Sequence, residues 1–302
     1  MRAVFIGGAG RSGTTLLGDL LGATASHICT PETSYKIQLA HCGWAGENGD
    51  LVAGLAKVRA HPKFADLNVE LPAVAVPTLP TLFDAVVPAY AVKVGKPNAS
   101  IWIDHTPSNL AIGGALLKQF PDARLIHLVR DGRAVAASQI PLDWGPNSVT
   151  GVAREWVLYV ALGLGLEHAY PARVHRVAYE ELVAEPARVL QRICQFADLT
   201  YDSAMLEGGG LVVPHRTSQQ HSLVGKRPDP TRMQAWRTAL RPREIEIFEA
   251  EVSSLLELLG YQPIYGQTAR GLSPSGSLAY AARDLAREVT VNRIKRRRRF
   301  SG

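Results

Sequence analysis

The run Gly8-Ala9-Gly10-Arg11-Ser12-Gly13-Thr14-Thr15 combines glycines, a guanidinium and hydroxyls in a pattern that can wrap an anion. Glycines let a backbone turn tightly and approach a ligand, and N–H groups at a helix start face it with the positive end of the helix dipole. Ahead of it, Ala3-Val4-Phe5-Ile6 reads as a buried strand. Behind it, Thr14 to Leu21 reads as a helix with Leu16, Leu17, Leu20 and Leu21 on one side. Two templates fit the same letters. As G-x-G-x-x-G, residues 8–13 match a dinucleotide fingerprint, with Glu32 near the interval of a ribose-binding acid. As G-x-x-x-x-G-K-[ST], residues 8–15 match a nucleoside-triphosphate loop, except that Thr14 replaces the lysine that reaches the β- and γ-phosphates. A loop with Arg11 inside it and two threonines following suits a different anion.

A second anion segment lies at Arg124-Leu125-Ile126-His127-Leu128-Val129-Arg130-Asp131-Gly132-Arg133, followed by Ala134 to Ser138. Arg130 at a strand end and Ser138 two turns along a helix can flank one anion. Arg11-Ser12-Gly13-Thr14-Thr15-Leu16 after an apolar strand resembles the 5'-phosphosulfate loop of sulfotransferases that use 3'-phosphoadenosine-5'-phosphosulfate (PAPS). The Arg130-to-Ser138 segment is similar to that family's 3'-phosphate segment. In motif layout the likeness is to tyrosylprotein and carbohydrate sulfotransferases, as a soluble, bacterial-like member. It spans roughly residues 3–265 and implies a three-layer α/β, P-loop-like sulfotransferase fold with a central parallel sheet. It also implies that Arg11, Ser12, Gly13, Thr14 and Thr15 hold the 5'-phosphosulfate, and that Arg130, Ser138 and Tyr179 hold the 3'-phosphate. The reaction implied is in-line sulfuryl transfer to an alcohol or phenol without a metal, releasing adenosine 3',5'-bisphosphate.

The same resemblance marks Glu32, which leaves the short strand Ser26–Cys29, as the base that accepts the acceptor hydroxyl's proton; the alternative is a carboxylate that caps a helix start. His105 follows the strand Ser100–His105, where many family members carry a lysine that contacts the leaving group. Three roles stay open for it: an imidazolium donor, a partner to Glu32 in base work, or a neutral histidine satisfied beside Asp104. Tyr179 lies in the run Arg173–Leu182, which alternates as a strand ending in a polar cluster and resembles the family's segment near the 3'-phosphate or adenine; it either donates its hydroxyl to that phosphate or buries its ring and caps the strand end. Lys226, in the basic loop 215–230 ahead of Trp236, matches a family loop that closes over the nucleotide, with Arg227 as an alternative and plain surface charge as the simpler account. Arg133 is expected to orient Asp131 and Trp156 to be core. Gly208-Gly209-Gly210 reads as a flexible link.

The remaining chain supports these elements. At 302 residues, 46% hydrophobic and 20% charged, it can bury a substantial core. Residues 1–265 are read as one sulfotransferase domain, with 35–99 an irregular acceptor-side insertion holding one helix near 50–60, and 266–302 as a linker and basic helix or tail. Three cysteines, Cys29, Cys42 and Cys194, without C-x-x-C spacing indicate neither a disulfide framework nor zinc. The strand following Met1 leaves no room for a leader, and the apolar run Trp156–Leu166 is too short for a bilayer, so a cytoplasmic location is expected. Eight of the 33 Lys/Arg but only two of the 27 Asp/Glu lie from Ala281 onward, so this stretch alone carries the net charge of +6. A nucleic-acid partner is therefore not expected, whereas the basic end suits an anionic membrane, an acidic partner or solvent. The acceptor class stays open among carbohydrate, lipid, peptide tyrosine and small metabolite. The rival readings are a P-loop nucleotide kinase, which lacks its lysine here, an NAD-dependent oxidoreductase, which leaves Arg11 and Arg130–Ser138 unused, and a non-catalytic nucleotide-binding protein.

Overall fold

Strand sequences with bulky apolar residues on both faces demand cover on both sides, and that is how the chain folds. A computed structural model describes residues 1–41, 51–70, 78–214, 218 and 224–295. The strands are β1 (Arg2–Gly7), β2 (His27–Thr30), β3 (Ile101–Asp104), β4 (Arg124–Val129) and β5 (Val174–Ala178), in the order β2-β3-β1-β4-β5. The pairs β2–β3, β3–β1 and β1–β4 are parallel, with Val4 opposite Ile103 and Ile6 opposite Ile126. β1 lies at the centre, where the chain turns to one side for β2 and β3 and later to the other for β4 and β5. Such a switch point leaves a crevice at the carboxyl ends of the strands.

The described residues form two compact bodies. The first comprises Met1–Gly8, Gly13–Leu128 and Leu162–Pro228. Its strands alternate faces as the two-residue period requires. Val4 and Ile6 join Leu17, Leu20 and Leu21 of the helix Thr14–Leu21, and Val189, Leu190 and Ile193 of the helix Pro186–Ala197, in one core cluster. Phe5 faces the other way, edge-on to Trp102 and Phe120, while Trp102 stacks on Phe83 at 4.4 Å.

The second body comprises Ala9–Ser12, Val129–Ala161 and the chain from Asp229 onward. Its centre is Arg133, buried, which donates to both oxygens of Asp131 and, at 2.6 Å, to Glu249, with the Trp236 ring 4.1 Å from its guanidinium. Burial opposes its charge, but the Asp131 and Glu249 carboxylates outweigh burial and push its pKa up. Arg133 thus does orient Asp131, and Trp156 is core.

Three expectations change. The 35–99 stretch is largely helical where described, with helices Tyr35–His41, Leu51–Ala60, Pro62–Ala65 and Leu79–Lys93. The last starts on a Thr78/Thr81 capping box and buries Leu79, Leu82, Phe83, Val86, Val87 and Tyr90; Pro88 sits inside it because this packing overrides the lost backbone donor. The helix Val149–Ala169 is 21 residues, longer than its apolar run, and by length and composition it could cross a membrane. It buries Trp156 against Gly132 and its Gly163 fits closely against His127, as a core helix does. Finally, the glycine link is pinned, as described below. Cys42 and the residues of 215–223 other than Ser218 lie outside the described residues.

Candidate active site

Each strand of the sheet delivers a candidate residue just past its carboxyl end: β1 the loop to Thr15, β2 Glu32, β3 His105, β4 Arg130 and β5 Tyr179. The loop after β1 has its special backbone at two positions. Arg11 takes a left-handed φ of 67° and Gly13 one of 100°. A non-glycine residue held there is strained, and such strain persists where the surroundings fix it. At Gly13 a side chain is excluded twice over, since a Cβ would lie 2.5 Å from Cδ2 of the buried Tyr179 ring. Tyr179 is therefore brought to the loop, its ring packed and not merely capping β5. Thr14 is buried at the helix start, Thr15 is half-buried, and Ser12 Oγ is buried with no hydrogen-bond partner.

In the second body the loop arginine meets the other anion segment. Arg11 Nε donates to Ser138 Oγ at 3.1 Å, and Arg130 Nη1 donates to the Arg11 carbonyl at 3.1 Å. Arg130 is held from behind, because Trp156 Nε1 donates to its carbonyl at 3.0 Å. Ser138 is presented by the helix Gly132–Gln139, whose N-cap Asp131 accepts from the Arg133 N–H at 2.9 Å. Two guanidinium groups and a hydroxyl thus gather where the sequence placed one anion.

In the first body, Glu32 and His105 flank a buried polar network that the sequence reading missed. Lys36 and Asp104 pair at 2.5 Å with neither side chain exposed. Thr33 donates its N–H to Thr106 Oγ1 at 2.8 Å and its hydroxyl to Asp104 at 2.6 Å, and Thr106 donates both its N–H and its hydroxyl to Asp104. Burial pushes the Asp104 carboxyl up, but Lys36 and these donors outweigh burial and hold it below the usual range. Asn109 ties the same corner to β1 by donating to the Ile6 carbonyl at 3.0 Å. The residues following Glu32 and flanking His105 are thereby locked together.

His105 itself packs on Gly18, and both its ring nitrogens are buried without partners. Burial lowers its pKa, a pull that the nearby Glu32 and Asp104 carboxylates only partly offset. Its neutral form is thereby favoured, which has one N–H to give and one lone pair to accept, and no hydrogen bond joins it to Asp104. Glu32 Oε2 accepts from Lys63 at 2.7 Å, so the candidate base is paired with a lysine of the 35–99 stretch.

Lys226 is exposed. Its segment is nevertheless anchored. Asp19, buried on the loop helix, accepts from the N–H groups of Gly209, Leu211 and Gly225 at 3.1, 2.9 and 2.8 Å, and its carbonyl accepts from Gly210. The glycines are a strapped turn, and Asp19 is a second residue sequence reasoning missed; an acid on the buried side of an apolar helix was the available signal.

The chain is 26% identical over 289 residues to a protein-tyrosine sulfotransferase of Drosophila melanogaster, covering 87% of this chain and 52% of that protein. It is 28% identical over 286 residues to the nodulation protein NoeE of Sinorhizobium fredii, covering 85% of this chain and 65% of that one. The chain thus spans about half to two thirds of the length of these relatives. Its fold is similar to that of the sulfotransferase domain of the Synechococcus PCC 7002 olefin synthase, with a TM-score of 0.57 and 23% identity over 86% of this chain and 94% of that domain. The sulfotransferase domain of the curacin biosynthetic pathway is similar too, at a TM-score of 0.56 and 19% identity, covering 87% of this chain and 99% of that domain. The sulfotransferase family model matches residues 3–203, from β1 past the helix that follows Tyr179, and with the strand-end residues falling inside that span the chain belongs to the sulfotransferase family.

Proposed function

We propose that this chain moves a sulfuryl group from PAPS to a hydroxyl of its acceptor. The observation that carries the reading is the Arg11–Ser138 contact with Arg130 on the Arg11 backbone, since it joins the two anion segments that a 3',5'-substituted nucleotide requires. The loop residues Arg11 to Thr15 are assigned to the 5'-phosphosulfate, and Arg130, Ser138 and Tyr179 to the 3'-phosphate, with Lys226 assigned to the nucleotide on the family resemblance alone. The unpartnered Ser12 hydroxyl and His105 ring nitrogens fit such a ligand, because buried polar groups are ordinarily satisfied and these await a partner.

Bound PAPS supplies the sulfuryl group and leaves as adenosine 3',5'-bisphosphate. The protein's part is positioning and charge compensation. Glu32 accepts the hydroxyl proton of the acceptor on a carboxylate oxygen that Lys63 orients. His105 offers its neutral N–H to an oxygen of the reacting group, in place of the cation that a lysine would bring. Acceptors consistent with this chemistry are a carbohydrate, lipid, tyrosyl or metabolite hydroxyl.

The test needs no acceptor: calorimetric titration of the protein with adenosine 3',5'-bisphosphate, ATP and NAD. Selective binding of the bisphosphate supports the reading. Preference for ATP or NAD, or no binding, overturns it.

A further inference from the structure

The helix Pro274–Arg287 and the wide turn Glu288–Asn292 that continues it are mounted with their polar side inward. Asp284 accepts from Ser148, and Asn292 Nδ2 donates to Asn147 at 2.7 Å and to Glu288 at 3.0 Å. A wide turn advances less per residue than an α-helix, which brings Asn292 back onto the face of Asp284 two turns earlier. The same register lines up Leu278, Leu285 and Val289 on a different, outward side, at 72%, 67% and 56% exposed, with Ala282 and Ala286 beside them. Buried amphipathic helices do the reverse. An apolar stripe kept in water by hydrogen bonds on the opposite flank costs solubility and is a mark of an interaction surface.

The charge says what covers it. Arg283, Arg287, Arg293 and Lys295 belong to the same helical stretch, and the sequence runs on as Arg296-Arg297-Arg298-Arg299, so that the chain's whole net charge of +6 falls in the sequence from Ala281 onward. A second copy would bring the same cations against one another, which like charges oppose. An anionic bilayer surface accepts both features together: the stripe enters the acyl boundary while the arginines stay among the headgroups.

We propose that this helix and the basic run after it dock the protein on an anionic membrane surface. The stripe supplies burial and the arginines supply attraction, and one alone gives weak, reversible binding.

The experiment is co-flotation of the full chain with phosphatidylcholine vesicles, with and without phosphatidylserine, at low and high salt. Binding is expected only with phosphatidylserine and to fall as salt rises. Leu278→Gln with Leu285→Gln, at exposed sites, and separately Arg296 to Arg299→Gln, should each lower the partition coefficient at least about tenfold while thermal melting and bisphosphate affinity stay unchanged. No flotation, or flotation indifferent to both variants, overturns the proposal. So does sedimentation showing a dimer that the leucine substitutions dissociate, without vesicle binding, which would give the stripe to a second copy.

Discussion

Lys36 Nζ stands 2.5 Å from Asp104 Oδ2 at the carboxyl end of β3, both side chains wholly buried, and through Thr33 and Thr106 this pair joins the turn carrying Glu32 to the turn carrying His105. A buried ion pair adds little net stability, since desolvation consumes most of its attraction, but removing one partner strands the other charge. Asp104→Asn is therefore expected to lower the unfolding free energy by about 3–5 kcal/mol, with Lys36→Met added in the same chain restoring a large part. Urea denaturation of the single and double variants measures this. Equal losses in both would mean that the threonine hydrogen bonds, and not the charge pair, hold the corner.

Ser138 and Arg130 differ in what they give an anion, a hydroxyl against a guanidinium. Ser138→Ala is expected to weaken adenosine 3',5'-bisphosphate about tenfold, the order of one hydrogen bond to a charged group, and Arg130→Ala about a hundredfold or more. Arg11→Ala should fall between them, because its guanidinium already leans on Ser138. Titration calorimetry reads all three. An Arg130 variant that binds as the parent does would remove this arginine from the site.

These residues were legible because they sit in short motifs whose chemistry depends on sequence spacing: the loop of Gly8 to Thr15 before an apolar helix, and Arg130 with Ser138 two turns beyond. The strands were legible for a similar reason, being short apolar runs with sharp ends, and Arg124–Val129 is where its letters place it. What stayed hidden depends on partners distant in the chain. Nothing in the letters around Lys36 points to Asp104, which β3 brings to it from 68 residues away. Asp19 meets backbone groups about 190 to 206 residues away. Pro88 argues by propensity against a helix at 79–93, which is held by burial that propensity does not see. The lysine-to-histidine change was visible as a letter, but the neutral state of His105 follows only from its burial.

Asp19 gives the second stability test. Its carboxylate satisfies N–H groups on both the glycine turn and the residue preceding Lys226. Asp19→Ala should reduce stability by at least about 2 kcal/mol, as expected when hydrogen bonds to a charged acceptor are lost. Hydrogen exchange at Gly209, Leu211 and Gly225 should accelerate beyond what the global change explains. If exchange there stays in step with global unfolding, the strap is not what holds this segment.

His105 gives a pH test with a definite sign. Its folded pKa is lowered, above all by burial, while in the unfolded chain it takes the ordinary value of about 6.5. The folded protein therefore resists a proton that the unfolded chain accepts, so stability is full above about pH 6.5 and is lost as pH falls below it. His27 and His175, also lowered by burial, add to the same slope. His105→Gln removes one proton's share, so its stability should decline less steeply than the parent's below pH 6.5, by up to about 1.4 kcal/mol per pH unit. Denaturation midpoints from pH 7 downward, within about two units of the ordinary histidine pKa, show the difference. Parallel curves would mean that the folded imidazole takes up its proton normally. The donor in the site would then become a cation below about pH 6.5, and the acid limb of turnover would follow the titration of His105.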